Sequence, residues 1–319
     1  MRYRRLGHSG LEVSVVGLGS WLTYGGSTEP SDAVACVHRA YERGVTLFDT
    51  ANEYQQGRAE QVLGQAVRAL PRDGCVVATK VYFPMGDRPT QRGLSRKHVT
   101  EQAHASLRRL GLDHVDILQC HRYDDLTPLA ETCQAMDDLI RSGAVLYWGT
   151  SEWTAEQLTA AVTLCRSSGW SVPVSNQSQY SALWRRIEQR VLPDSDTLGL
   201  GTLAWSPLAM GILTGKYRPG QPPPPGSRLA GADSTFLDRY LRPGVLAAVE
   251  ASAKVADAAA IPLPQLALAW CLRRHEISSV LVGASRLSQV DQNVAAGTLD
   301  PPPDVLAELD DLLAPVATY

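Results

Sequence analysis

The sequence has no long apolar run, no run of charge of one sign and no closely spaced pair of cysteines. The basic start, Met1 to Arg5, is not followed by an apolar stretch long enough for a signal peptide or a membrane span. With 30 basic and 33 acidic residues, the formal charge of -3 does not indicate a nucleic-acid or anionic membrane surface. These absences predict a cytoplasmic protein without a nucleic-acid or membrane partner.

The six cysteines occur singly, without the short spacings of a zinc site or a redox pair. No metal site is therefore predicted. Cys120 lies next to His121, but a reactive thiol needs an exposed, electropositive setting. We expect all six cysteines to be reduced and mostly packed in the core.

The composition, 44% hydrophobic and 20% charged, is typical of a globular protein with a buried core. A chain of 319 residues fits either two ordinary domains or one large barrel. Strand-like segments are predicted at 15–19, 45–48, 75–79, 115–118, 144–149, 172–175, 201–204 and 278–282. Helical periodicity is predicted at 31–43, 58–69, 97–110, 127–141, 154–167, 184–192, 264–273 and 286–297. Eight strand–helix units without a composition break favour a single (β/α)8 TIM barrel domain, residues 1–319.

An open doubly wound sheet is the competing fold, and Gly17-Leu18-Gly19-Ser20-Trp21-Leu22 lacks the third glycine of its usual dinucleotide motif. Residues 3–14 predict an N-terminal β-hairpin that could plug one end of the barrel, and residues 303–313 predict an extra C-terminal helix. Residues 205–240 contain four consecutive prolines and no clear apolar period. We interpret them as a surface loop that covers a ligand.

Four polar residues follow successive predicted strands: Asp49, Tyr54, Lys80 and His121. Strand carboxyl ends form one mouth in a barrel, so these groups should converge. Each alone has a structural explanation, since Asp49 could cap a helix, Tyr54 could pack, Lys80 could be a solvated charge and His121 could be structural. Together, they predict a proton-delivery site in which Lys80 lowers the pKa of Tyr54 below its ordinary value of about 10. Asp49 would hold Lys80, and His121 would orient a carbonyl oxygen.

The spacing of these residues, with Gly57, Glu60 and Arg122, resembles the aldo-keto reductases over nearly the whole chain. The resemblance implies an NADPH-dependent carbonyl reductase on a TIM barrel. It makes Tyr54 the general acid, tuned by Lys80 and Asp49, with His121 positioning the substrate.

Later motifs include Trp148-Gly149-Thr150-Ser151-Glu152-Trp153, Trp205-Ser206-Pro207-Leu208-Ala209 and Gly283-Ala284-Ser285. They look most similar to the branch that includes the β subunits of voltage-gated potassium channels. That resemblance implies that Ser151 and Gln177 bind the cofactor carboxamide, and that Lys216, Arg228 and Ser285 meet its phosphates. A phosphate near Ser285 also agrees with the helix predicted to follow it. The full set of expected cofactor residues is Gly19, Ser20, Trp21, Asp49, Ser151, Glu152, Gln177, Trp205, Ser206, Pro207, Leu208, Ala209, Gly211, Lys216, Tyr217, Arg228, Gly283, Ser285, Gln289, Gln292 and Asn293.

The expected partner is a small-molecule carbonyl substrate in an apolar pocket, lined by Trp21, Tyr24, Tyr82, Phe83 and Tyr123. The alternative is an NADPH-binding regulatory or redox-sensing subunit, and the channel-like branch also leaves a homo-oligomer open. A hydrolase with Asp49 and Glu53 as paired carboxylates is disfavoured, because that chemistry does not require Lys80.

Overall fold

The computed structural model describes residues 1–225, 227, 230 and 240–319. A closed barrel of eight parallel strands forms its centre, in the order β10-β3-β4-β5-β6-β7-β8-β9, and an antiparallel hairpin, β1 and β2, precedes it. The strands are Tyr3–Arg5 (β1), Glu12–Ser14 (β2), Val16–Gly19 (β3), Leu47–Asp49 (β4), Val76–Val81 (β5), Val115–Cys120 (β6), Val145–Ser151 (β7), Ser175–Gln179 (β8), Gly201–Trp205 (β9) and Ile277–Val282 (β10). The predicted (β/α)8 fold and its hairpin are confirmed.

Helices connect the strands and pack outside them. They are Pro30–Glu42 (α1), Arg58–Val67 (α2), Arg96–Leu110 (α3), Leu129–Arg141 (α4), Ala155–Ser168 (α5), Val191–Leu198 (α6), Pro243–Ala258 (α7), Leu263–Leu272 (α8), Leu287–Ala295 (α9) and Pro303–Leu313 (α10). Local sequence explains both ends of α5: Thr154 and Gln157 form a reciprocal capping box before it, and Gly169 ends it in the left-handed region. The C-terminal helix occupies the predicted residues.

Two predicted elements are displaced. The strand expected at 172–175 is β8, Ser175–Gln179, whose five polar residues are all buried. Hydrogen bonds satisfy four of these five side chains inside the barrel, for example Thr150 Oγ1 to Asn176 Oδ1 at 2.9 Å. Among the described residues Ser175 Oγ has no partner. Polar groups that bond to one another can fill the barrel, so the strand has no apolar pattern. The helix expected at 184–192 begins only at Val191. The residues before it pair with the C-terminal segment instead: Trp184 forms a β-bridge with Thr318, and the Arg185 backbone N–H donates to the Thr318 carbonyl oxygen.

The segment after β9 also differs from the prediction of a surface loop. Residues 209–214 form short 3-10 turns interrupted by left-handed backbone at Met210 and Gly211, and Ile212 and Leu213 are completely buried there. Helix α7 was not predicted. Val245, Val249, Ser252 and Ala256 are buried and recur at the spacing of one helix face, so the sequence does carry a helical pattern here. Arg228 and residues 231–239 lie outside the described residues.

The carboxyl ends of the barrel strands carry the candidate site, as in other barrels of this type. Among the described helices, no single one is long and apolar enough to cross a membrane. Gly244–Ala258 and Leu263–Leu272 pass a test of length and composition only as a pair, with a 94° bend between them.

Candidate active site

A buried ion pair lies at the base of the site. The Lys80 ammonium, on β5, donates to Asp49 Oδ2 at 2.6 Å and to the Thr50 carbonyl oxygen at 2.8 Å. It also lies 3.2 Å from the Tyr54 hydroxyl. Lys80 is completely buried and Asp49 nearly so, which makes these charge-assisted bonds stronger than their surface equivalents. The structure thus brings three of the predicted site residues into direct contact.

The pKa of Tyr54 changes in the opposite direction to the prediction. Burial raises the pKa of Tyr54 to about 12, and Lys80 opposes that increase without reversing it. For Lys80, burial alone would lower the pKa, but Asp49 and Tyr54 raise it above the ordinary lysine value. The prediction was wrong because loss of hydration outweighs the attraction of one ammonium already shared with Asp49. The site therefore holds a protonated phenol beside a charged lysine at neutral pH.

His121 follows β6 and faces the same site. Its ring contacts that of Tyr54 edge-on, with centroids 5.7 Å apart, and that of Phe83 at 4.9 Å. Burial, then Lys80 and Arg122, lower the pKa of His121 well below its ordinary value. The imidazole is consequently neutral, and it can donate one hydrogen bond and accept another.

Gln119 and Gln177 hold the second oxygen of Asp49. Gln177 Nε2 donates to Asp49 Oδ1 at 2.8 Å, and Gln119 Nε2 donates to the same atom at 3.2 Å. Gln177 was expected near the cofactor, whereas Gln119 was missed. The one signal for Gln119 is a polar residue inside an apolar strand, which does not by itself indicate what it contacts.

Glu152 links the ends of three strands above the site. Its carboxylate accepts from the Trp205 indole N–H at 2.7 Å and from the Gln179 backbone N–H at 2.6 Å. Trp205 in turn lies edge-on to Trp21, with ring centroids 6.2 Å apart. Ser151 is buried beside Glu152, and its hydroxyl lies 3.5 Å from Arg122 Nη1. Of these residues, Trp21, Ser151, Glu152 and Trp205 were expected at the cofactor, and that assignment stays a prediction.

Two hydrogen-bond donors converge on one oxygen at the end of β10. The Ser285 backbone N–H and hydroxyl both donate to Gln289 Oε1, at 2.9 and 3.2 Å, just before helix α9. Two donors that converge on one oxygen at a helix N-terminus suit a phosphate oxygen. The exposed Lys216 follows β9, and its ammonium lies 5.1 Å from the Tyr217 ring centroid. The donor set therefore fits a phosphorylated cofactor.

Other expected cofactor residues follow the same strands. Backbone angle φ is positive at Ser206, Ala209 and Gly211, which turns the chain sharply after β9. Gly19 and Ser20 lie at the end of β3, Pro207 and Leu208 follow β9, and Gly283 follows β10. Helix α9 carries Gln292 and Asn293. Arg228 lies outside the described residues.

The expected substrate residues do not all reach the mouth. Tyr82 packs edge-on against Phe83, which in turn contacts His121. Tyr123 packs against Trp153, with ring centroids 4.8 Å apart. Tyr24 is 1% exposed and its hydroxyl is enclosed, so it packs in the hydrophobic core.

No cluster of three or more potential metal ligands occurs among the described residues. All six cysteines are free and buried. Burial raises the pKa of the Cys120 thiol far above its ordinary value, so Cys120 does not supply a thiolate beside His121.

Comparison with known proteins identifies the group to which this arrangement belongs. The model of the aldo/keto reductase family matches residues 15–314. The chain is 39% identical over 318 residues to a protein of Arabidopsis thaliana named "Probable voltage-gated potassium channel subunit beta", which covers 98% of this chain and 97% of the relative. A rice protein (Oryza sativa subsp. japonica) with the same name is 39% identical over 319 residues, or 99% of this chain and 96% of the relative.

Proposed function

The chain belongs to the aldo/keto reductase family, and from this we propose that it is an NADPH-dependent reductase of aldehydes or ketones. The observation that carries the proposal is the Lys80 ammonium, which lies 2.6 Å from Asp49 and 3.2 Å from the hydroxyl of Tyr54. A phenol in contact with a buried ammonium is suited to deliver a proton to an oxygen that develops negative charge.

Each residue has a defined role in this proposal. Tyr54 donates its hydroxyl proton to the carbonyl oxygen, and Lys80 stabilises the phenolate that remains. Asp49 fixes the ammonium in place, while His121 orients the carbonyl by a hydrogen bond. The pKa of about 12 keeps Tyr54 protonated before reaction, which is the state that a general acid requires.

Bound NADPH would supply the hydride. Ser151 and Gln177 would hold the carboxamide of such a cofactor, and Trp21 and Trp205 would flank its ring. Ser285 and Lys216 carry the donors suited to its phosphates. Arg228, outside the described residues, is proposed to contribute a further positive charge near the 2′-phosphate. The proposed substrate is an aliphatic or aromatic carbonyl, because the aromatic side chains of Tyr82 and Phe83 pack next to His121 and would give the substrate pocket an apolar lining.

The test replaces the proposed acid while keeping its ring. Tyr54→Phe should lower kcat for an aldehyde by about 10²- to 10⁴-fold, since general acid catalysis typically contributes that factor. NADPH affinity, measured by quenching of protein fluorescence, should be unchanged. Tyr41→Phe is the matched control, because Tyr41 lies on helix α1 away from the site. Full activity in Tyr54→Phe would contradict the assignment.

A regulatory subunit is the second candidate, favoured by the names of the relatives. It predicts that wild-type protein binds NADPH tightly but oxidises it no faster with an aldehyde panel than without one. The same experiment separates the two functions, since only the reductase turns over without a protein partner. A homo-oligomer and a cytoplasmic location are compatible with both proposals.

A further inference from the structure

One nitrogen of the His121 imidazole is enclosed without a hydrogen-bond partner. Among the described residues, nothing bonds to Nδ1, although His121 is only 6% exposed. Nε2 is not one of these enclosed atoms, so it is the nitrogen that remains open to a substrate. A neutral imidazole carries one proton, and the partner of one nitrogen decides which nitrogen holds it. Whatever approaches Nδ1 therefore controls whether Nε2 is a donor or an acceptor.

The acidic group beside Nδ1 is the carboxyl of Glu53. The sequence motifs assign Glu53 no role in the reductase site. Glu53 Oε1 lies 3.9 Å from His121 Nδ1, about 1 Å beyond a hydrogen bond. The Glu53 side chain is 27% exposed and makes no hydrogen bond within the described residues, so it is free to rotate towards the ring. Catalytic hydrogen bonds are often long before a substrate is bound.

Charged and titratable groups lie near Glu53 and His121 on each of the neighbouring elements. Lys80 projects from β5, Arg122 follows His121 after β6, and Tyr54 adjoins Glu53 with Asp49 beyond it. Burial raises the pKa of the Glu53 carboxyl, although Lys80 and Arg122 act in the opposite direction. The carboxyl consequently stays protonated to a higher pH than an ordinary glutamate.

We propose that Glu53 is a positioning residue that sets the tautomer of His121 through a hydrogen bond to Nδ1. When the Glu53 carboxyl is protonated, it donates to Nδ1 and places the ring proton on Nε2. Nε2–H then donates to the carbonyl oxygen of the substrate. The inference rests on the proposed reductase function only for this last step.

Ionisation of Glu53 reverses the arrangement. The carboxylate accepts a hydrogen bond from Nδ1–H, and Nε2 then presents a lone pair to the lone pairs of the carbonyl oxygen. Carbonyl binding in the productive orientation is lost with that donor. Because the folded-state pKa of Glu53 is raised, the productive form predominates below that pKa and disappears as the pH rises through it.

The experiment measures the tautomer directly and the reaction separately. In protein with ¹⁵N-labelled histidine, NMR distinguishes protonated from unprotonated ring nitrogens, and loss of one signal set in His121→Gln assigns His121 among the seven histidines. Wild type should move its proton from Nε2 to Nδ1 as the pH rises. Glu53→Gln should remove this pH dependence, because an amide does not ionise. We expect its N–H to donate to Nδ1 and so keep Nε2 protonated at every pH.

Kinetics test the consequence. Above the Glu53 pKa, Glu53→Gln should exceed wild type in kcat/KM for an aldehyde by about three- to tenfold, the value of one hydrogen bond. Glu53→Ala should also lose the pH dependence, but at a lower activity than Glu53→Gln. Glu42→Gln, a matched change at an exposed position on α1, should follow wild type.

Three results would overturn the proposal: an Nδ1-protonated ring in Glu53→Gln, a tautomer in wild type that does not change with pH, or equal activity of Glu53→Gln and Glu53→Ala. The failure of the reductase function is a different result. The tautomer would then change with pH as expected, while no aldehyde is reduced by wild type or by any variant.

Discussion

The Lys80 ammonium is held entirely by protein oxygens. It has exchanged water for the Asp49 carboxylate, the Thr50 carbonyl and the Tyr54 hydroxyl. Removal of charge from water costs several kcal/mol per ion, and only close, well-directed contacts offset that cost. Because the raised pKa of Lys80 favours its charged form in the folded state, this stabilisation is present at neutral pH and is lost as the pH rises through the folded-state value.

Replacement of Lys80 should show how much this ion pair contributes to stability. Lys80→Met leaves Asp49 buried without its cation, which should lower the free energy of unfolding by about 3–5 kcal/mol. Urea denaturation measures the loss. Lys97→Met is the matched control, because Lys97 pairs with Glu101 on the surface and should change stability by less than about 1 kcal/mol. Equal effects of the two variants would contradict the assigned burial cost.

At the scale of elements, α2 and α3 approach each other closely at one glycine. A Cβ atom built on Gly64 would lie 2.3 Å from the Leu110 carbonyl oxygen at the end of α3. Real Cβ atoms do not approach backbone oxygen so closely, so any other residue must push the helices apart. Helix α2 begins just after Tyr54, and its packing therefore supports the loop that carries the proposed acid.

Gly64→Ala should therefore destabilise the protein, although alanine favours helix formation. Overpacking of this kind typically costs about 1–3 kcal/mol. Gly244→Ala is the matched control in helix α7, where the nearest atom to a built Cβ is Val316 Cγ1 at an ordinary 3.8 Å. That change should not destabilise the protein, and the gain should be at most about 0.5–1 kcal/mol, the difference between the two residues in the middle of a helix. Thermal unfolding followed by circular dichroism compares them, and a stabilising Gly64→Ala would contradict the close approach.

At the scale of the whole molecule, the N-terminal hairpin closes the barrel at the end opposite the site. Leu6 is completely buried in a cluster with residues from β4, β5, β6, β9 and β10. Gly7 packs against the backbone of Gly199 and Gly201, which leaves no room for a Cβ there. The hairpin is thus part of the barrel core.

Leu6→Ala should lower the free energy of unfolding by about 2–5 kcal/mol, the cost of a buried leucine-sized cavity. Leu126→Ala is the control, since Leu126 is 93% exposed and should change stability by no more than about 0.5 kcal/mol. Denaturant titration gives both values. We also propose that residues 1–319 form one domain, in which case Leu6→Ala shifts a single cooperative transition. A separate early transition for the hairpin would contradict that proposal.

The sequence by itself determined the fold class and the positions of Asp49, Tyr54, Lys80 and His121 at the ends of successive strands. The alternation of apolar strands and amphipathic helices is a local property, and strand ends must meet once eight such units close into a barrel. The polar strand β8 shows the limit of this approach, because tertiary hydrogen bonding decides that element. Helix α7 is different, since its residues do carry a helical pattern that could have been read from the sequence.

Only the tertiary structure decided how the groups affect one another. The pKa of Tyr54 rises although a lysine touches it, because burial depends on every surrounding residue and cannot be read from spacing. The contacts of Gln119 with Asp49 and the approach of Glu53 to His121 Nδ1 join residues that are 70 and 68 positions apart. Closure of the barrel brings these residues together in space, and it leaves no periodic signal in the chain.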